Sequence, residues 1–165
     1  MKRVVITGIG AVTAFGKTWE DVKAAFQRKQ NAVQAKTEWA ERYPELGANL
    51  GAEIHDYNPP AHWNRKQLRS LGRVSQFAVE AAELALASAN LLDENGIILP
   101  YLKEGTMGVA CGSSTGSTND VRDAAELLMT GKSDGFNANT YVRMMPHTTA
   151  ANIGIFFGLT GRIIP

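Results

Sequence analysis

The stretch GVACGSSTGS, residues 108–117, holds the single cysteine of the chain, Cys111. A nucleophilic thiol needs a lowered pKa, from a helix N-terminus or a cationic neighbour, and some exposure. Cys111 closes an apolar run with no histidine beside it in sequence, so a small buried hydrophobe is the favoured reading. The overlapping GSSTG, residues 112–116, fits G-x-S-x-G, which would put Ser114 on a tight strand-to-helix turn. Its acid and histidine would have to come from Asp120, Asp123, Asp134 and His147, and a hydroxylated glycine-rich turn is the simpler account. AVTAFGKT, residues 11–18, fits a loose phosphate-loop pattern, with Lys17 for phosphate oxygens and Thr18 for Mg²⁺. Ala11 stands where a glycine would ease the first turn, and EIHD at 53–56 is a poor source of a Mg²⁺-binding aspartate. His55, His62 and His147 have no metal-ligand spacing. Arg65, Lys66, Arg69 and Arg73 make a basic cluster, either a solvated face or a docking site for an acidic partner.

These residues must be held by strands and helices that the pattern suggests. RVVIT, residues 3–7, is β-branched and bounded by Gly8 and Gly10, which predicts a buried first strand. Residues 17–30 predict a helix with Thr18 as N-cap, Asp21 three residues on, and Trp19, Val22 and Phe26 on one face. Residues 31–64 read as irregular, with one short strand near 51–55. A long helix is expected over 69–91, its stripe running through Leu71, Val74, Phe77, Ala78, Ala81, Ala82, Ala85 and Ala89. That many alanines imply close packing against a helix or a sheet. A second buried strand is expected at 106–112, a helix at 119–131 ending on Gly131, and a loop at 132–146. Another helix is expected at 147–159, with Phe156 and Phe157 in the core, before a new strand opens in GRIIP. Alternation of this kind indicates an α/β fold.

The bulk composition excludes several classes. The chain has 165 residues, 44% hydrophobic and 20% charged, with 16 glycines and a formal net charge of +1. Disorder and fibrous folds do not fit that composition, and the charge supplies no long-range field for nucleic acid or acidic lipid. One cysteine makes no internal disulfide, which suits a reducing cytoplasm. There is no h-region for a signal peptide and no apolar run long enough to span a bilayer, so neither nucleic acid nor membrane is expected as a partner.

Taken in order, three segments resemble one family across almost the whole chain. RVVITGIGAVTAFG resembles the opening of elongating β-ketoacyl-acyl-carrier-protein synthases, GVACGSSTGS their G-x-x-x-G-S-x-x-G segment, and ANIGIFFGLTGRIIP the helix and turn before their active-site cysteine. FNANTYVRMMPHTTAANIGIFFGLTGRIIP is more similar to synthases of polyene-type pathways. The resemblance implies a thiolase-like fold, with residues 1–165 forming an incomplete N-terminal half, a mixed β-sheet with flanking helices, truncated just before the active-site cysteine. That cysteine is expected about five residues after the GLTGRIIP segment, at the next strand-to-helix turn. Two histidines, or a histidine and a lysine, are expected further on, so no catalytic residue is expected within the chain.

By the same resemblance Cys111 matches a residue that lines the acyl pocket and gates its depth. Thr140 and Met145 match pocket-lining positions in a loop reaching across a dimer. Arg65, Lys66 and Arg69 are the expected docking cations for acyl carrier protein, whose phosphopantetheine delivers the acyl group; no other cofactor and no metal are expected. The partner subunit would be a second copy or a related ketosynthase-like chain. Two alternatives stay open at this point: a non-catalytic chain-length-factor subunit, and a phosphate-loop nucleotide kinase using Lys17 and Thr18. A pocket gate at Cys111 predicts that Cys111→Phe in the complete enzyme cuts the use of long acyl chains more than short ones. Turnover across an acyl-length series checks this, and an unchanged profile excludes the gate.

Overall fold

The computed structural model describes residues 3–165. The chain forms two compact units, one built from the N-terminal stretch through Gly10 together with Pro59–Pro165, the other from Ala11–Asn58.

In the smaller unit the chain turns sharply at 13–16. The amides of Thr13 and Gly16 donate to each other's carbonyls at 3.0 and 3.2 Å, and the Thr13 hydroxyl accepts from the Phe15 amide at 3.1 Å. Helix α1 (Trp19–Gln27) follows, capped as expected: the Thr18 hydroxyl accepts from the Asp21 amide at 3.1 Å and donates to the Asp21 carboxylate at 2.7 Å. Such a cap contributes about 1 kcal/mol. The expected apolar face is corrected: Ala25 is buried, whereas Trp19 and Phe26 are exposed. The region expected to be irregular contains β1 (Gln34–Ala35), α2 (Thr37–Arg42) and β2 (Leu50–Gly51). β1 and β2 pair antiparallel, Gln34 opposite Gly51. Lys36 lies 2.7 Å from Glu53, and its hydrogen bond holds the Glu53 carboxyl below the usual range.

In the larger unit the core gathers Trp63, Leu71, Val79, Leu86, Ile98, Leu102, Ile153 and Phe157. Phe156 stacks between Trp63 and Phe157, ring centroids 4.9 and 5.0 Å away, so both phenylalanines are packing residues as expected. The helix expected over 69–91 forms as α4 (Arg73–Ser88), shorter at both ends, and a separate four-residue helix, α3 (Arg65–Leu68), precedes the expected range. Between the two the chain passes Gly72 against the 112–117 turn, where a Cβ would sit 2.8 Å from that of Ser117. The buried side of α4 carries Ser75, Val79, Glu80 and Leu86, shifted from the predicted stripe. The alanines serve a different contact. A Cβ on Gly10 would lie 2.3 Å from the Ala81 carbonyl oxygen, and one on Gly8 equally close to that of Ala85. Backbone therefore rests directly on α4, which only small residues on both sides allow.

The expected buried strand at 3–7 does not form. These residues join no ladder among the described residues, and Val4 is 95% exposed. A buried strand needs pairing and a cover on both faces, and residues 3–7 have only α4 behind them at Gly8 and Gly10. After a 3₁₀ turn (Pro100–Lys103), β3 (Val109–Ala110) pairs parallel with β4 (Ile163–Ile164), Val109 opposite Ile163. Both strands fall where expected, shorter than expected, and Ala110 is exposed rather than buried. α5 (Thr118–Thr130) and α7 (Thr148–Phe157) end on Gly131 and Gly158 at φ +71° and +65°, the left-handed caps that glycine supplies without strain. The expected loop at 132–146 is corrected: it contains α6 (Ala138–Met144), started by a reciprocal cap between Asn137 and Thr140.

Gly10→Val tests the contact on α4. It is expected to destabilise by about 2 kcal/mol through overpacking, while Gly47→Ala, which meets nothing within 4 Å, leaves the melting midpoint in place. Equal midpoints for the two would rule the contact out.

Candidate functional site

Asn64 accepts from the Gln67 amide at 3.0 Å, and the Gln67 side chain accepts from the Asn64 amide at 2.9 Å. This box starts α3, a helix of four residues, and turns Arg65, Lys66 and Arg69 toward one open cavity of about 650 Å³. Arg143, from the end of α6, lines the same cavity. Arg73 does not: it stacks over the Phe77 ring, 5.1 Å from its centroid. Three of the four basic residues singled out in sequence thus converge, and a fourth joins them from far along the chain.

Arg143 differs from the other three. Its Nε and Nη2 donate to Asp120 Oδ1 at 2.8 and 2.6 Å, and its Nη1 donates to the Arg69 carbonyl at 3.3 Å. Asp120 is buried in the first turn of α5, where a carboxylate also meets the positive end of the helix dipole. Among the described residues no carboxylate pairs with Arg65, Lys66 or Arg69. The cavity therefore presents three cations available to an anion and one already neutralised. Sequence reasoning missed both Asp120 and Arg143 as a pair. The available signal was YVRMM, a lone cation flanked by apolar side chains, which calls for a buried counter-charge.

The 112–117 turn packs onto α6. The Ser117 amide donates to the Arg143 carbonyl at 2.9 Å, and a Cβ on Gly116 would lie 2.1 Å from the Met144 carbonyl oxygen. The Ser113 hydroxyl donates to the Thr115 carbonyl at 2.9 Å. Asp120 is committed to Arg143 and Asp123 pairs with Arg122 at 3.2 Å, so two of the three acids named for the serine-elbow reading are engaged elsewhere. The phosphate-loop reading fails because the amides of 13–16 turn inward on one another. Lys17 lies over the Tyr57 ring at 5.0 Å.

The three residues expected on the acyl pocket sit in different settings. Cys111 is half-buried against the core, its amide bonded to the Ile164 carbonyl at 3.0 Å and its thiol 3.9 Å from the Gly112 carbonyl. Thr140 has no exposed surface. Its hydroxyl accepts from the Asn137 amide at 3.2 Å and donates to the Gly135 carbonyl at 3.3 Å, so it caps α6. Met145 is half-buried just past α6, its carbonyl accepting from the Thr148 hydroxyl at 2.6 Å. Among the histidines, His62 lies 2.9 Å from Glu83, whose carboxylate also accepts from the Trp63 indole at 3.2 Å. Among the described residues no cluster of three or more metal-ligating side chains occurs.

A family model described as the β-ketoacyl synthase N-terminal domain matches residues 1–165. The crystal structure of a β-ketoacyl synthase from Burkholderia phymatum STM815 superposes with a TM-score of 0.89 at 44% identity, covering 100% of this chain and 39% of that one. The 3-oxoacyl-[acyl-carrier-protein] synthase 2 of Synechocystis is 27% identical over 128 residues, 78% of this chain and 29% of that protein. Nodulation protein E of Rhizobium meliloti is 30% identical over 169 residues, 98% of this chain and 38% of that protein. The chain thus spans well under half the length of these relatives, and the expected thiolase-like α/β fold is the one it shares with the solved synthase. With the family model matching residues 1–165, the chain belongs to the β-ketoacyl synthase family and corresponds to its N-terminal domain.

Proposed function

We propose that the full protein is a 3-oxoacyl-[acyl-carrier-protein] synthase and that this domain supplies its carrier-docking face and part of its acyl pocket. The observation that carries the proposal is the cavity on α3, where Arg65, Lys66 and Arg69 have no carboxylate partner among the described residues. An acidic carrier protein is steered to such a face over a range set by the Debye length, about 8–10 Å in physiological salt.

The reaction is a decarboxylative Claisen condensation. A cysteine thiolate attacks the acyl thioester carbonyl and the carrier thiol leaves. A malonyl-carrier then loses CO₂, and the resulting enolate attacks the acyl-enzyme carbonyl. A carbon–carbon bond forms and the cysteine is released. The nucleophile and the histidine or lysine groups that stabilise the oxyanion lie outside these 165 residues. Within them, Cys111 and Met145 contribute to the acyl-pocket wall, and Thr140 holds the first turn of α6. Leu128 and Met129 on α5 are exposed and suit a face covered by a second ketosynthase-like subunit. No helix is long and apolar enough to cross a membrane among the described residues, in keeping with a cytoplasmic enzyme working on carrier-bound substrates.

Charge reversal tests the docking face. In the full-length protein, Lys66→Glu with Arg69→Glu is expected to raise the KM for acyl carrier protein by about tenfold or more, with kcat little changed. The wild-type KM should climb with added salt and that of the variant should not. A KM that ignores both the charges and the salt would overturn the assignment.

A further inference from the structure

The docking helix is too short to hold itself. α3 has four residues, and isolated helices below about 12 residues are marginal in water. Its direction, and with it the spread of Arg65, Lys66 and Arg69, must be imposed from outside. At its N-terminal end the Asn64–Gln67 box does this. At its C-terminal end the Arg69 carbonyl is among the helix carbonyls that lack an intrahelical donor, and the Arg143 guanidinium donates to it. A cation there also matches the helix dipole. The guanidinium is aimed by Asp120 through two hydrogen bonds to one oxygen. The Arg143 backbone is pinned in turn by the Ser117 amide and by the close approach of Gly116 to Met144.

Resting on the carrier-docking proposal, we infer that Asp120 and Arg143 form a positioning strut that orients the docking cations, and that Arg143 acts by geometry rather than as a fourth attracting charge. Electrostatics alone and the strut predict opposite signs for one substitution. Asp120→Asn leaves every cation in place and makes the cavity one unit more positive. Simple attraction would tighten carrier binding, whereas a broken strut weakens it.

Binding of fluorescently labelled holo-acyl-carrier protein to the full-length protein, followed by anisotropy across a salt series, decides between them. Lys66→Glu serves as the reference and is expected to weaken binding and flatten the salt dependence. If it does neither, the docking assignment falls and the strut falls with it. Asp120→Asn is expected to weaken binding about fivefold while keeping the wild-type salt slope. Binding equal to or tighter than wild type, with Lys66→Glu still impaired, overturns the strut and leaves the docking face standing. Because Asp120→Asn strands a guanidinium without its counter-charge, the double variant Asp120→Asn, Arg143→Met provides a second route, removing one charge of each sign while keeping bulk. With a melting midpoint close to wild type, weakened binding by the double variant supports the strut, and wild-type affinity overturns it.

Discussion

One guanidinium, that of Arg143, joins four parts of the larger unit. It bonds the first turn of α5 through Asp120 and the end of α3 through the Arg69 carbonyl. Its own backbone receives the amide of Ser117. Charged groups leave water at a cost of several kcal/mol each, and the attraction between them offsets this only when geometry and remaining hydrogen bonds are good. Here Asp120 accepts two bonds from one partner at short range, and the donors left on the guanidinium reach a carbonyl and the open cavity. Removing Arg143 would leave the Asp120 carboxylate buried without its counter-charge, at a cost of about 3 kcal/mol. The glycine-serine turn, the short basic helix, α5 and α6 thus meet at this one residue.

Close backbone approach is the second constraint, and it acts by exclusion. Gly8 and Gly10 lie on the carbonyls of α4, Gly72 and Gly116 bring the chain past Arg143 and Met144, and Gly108 and Gly161 let the β3 and β4 segments meet. At all of these but Gly72, whose methyl would meet the Cβ atoms of Ser117 and Arg143, a methyl group would collide with backbone, which cannot rotate away as a flexible side chain can. The glycines near the basic cavity thus carry the same positional information as the ion pair, through sterics instead of charge.

The proposed docking face is electrostatically simple and structurally demanding. Its three cations sit on and just after a single helical turn. In the strut proposal their spread is set by α5 and α6, distant in sequence. The positions proposed for the acyl pocket have a similar dependence. Cys111 is fixed by the parallel pairing of β3 with β4, and Thr140 and Met145 by the two ends of α6.

Local chemistry was readable without coordinates. Thr18 at the start of α1, Gly131 at the end of α5, and the aromatic pair Phe156 and Phe157 follow from capping rules and apolar runs that involve only neighbouring residues. The order of the three family-like segments was also a property of sequence, and it led to the fold. What sequence could not decide was anything set by a partner far along the chain. Residues 3–7 have every local mark of a strand, yet strand formation needs a ladder, and none of the described residues offers one. The start of α4 at Arg73 rather than at residue 69 goes with the packing of Gly72 on the 112–117 turn, a contact between distant parts of the chain. The α6 helix hides in a polar stretch because its start is a side-chain cap rather than a hydrophobic period. The Asp120–Arg143 pair spans 23 positions. A buried charge reveals its need for a partner in sequence, but only the tertiary structure says which carboxylate meets it, because the cost of desolvation is relieved by distance in space and not by separation along the chain.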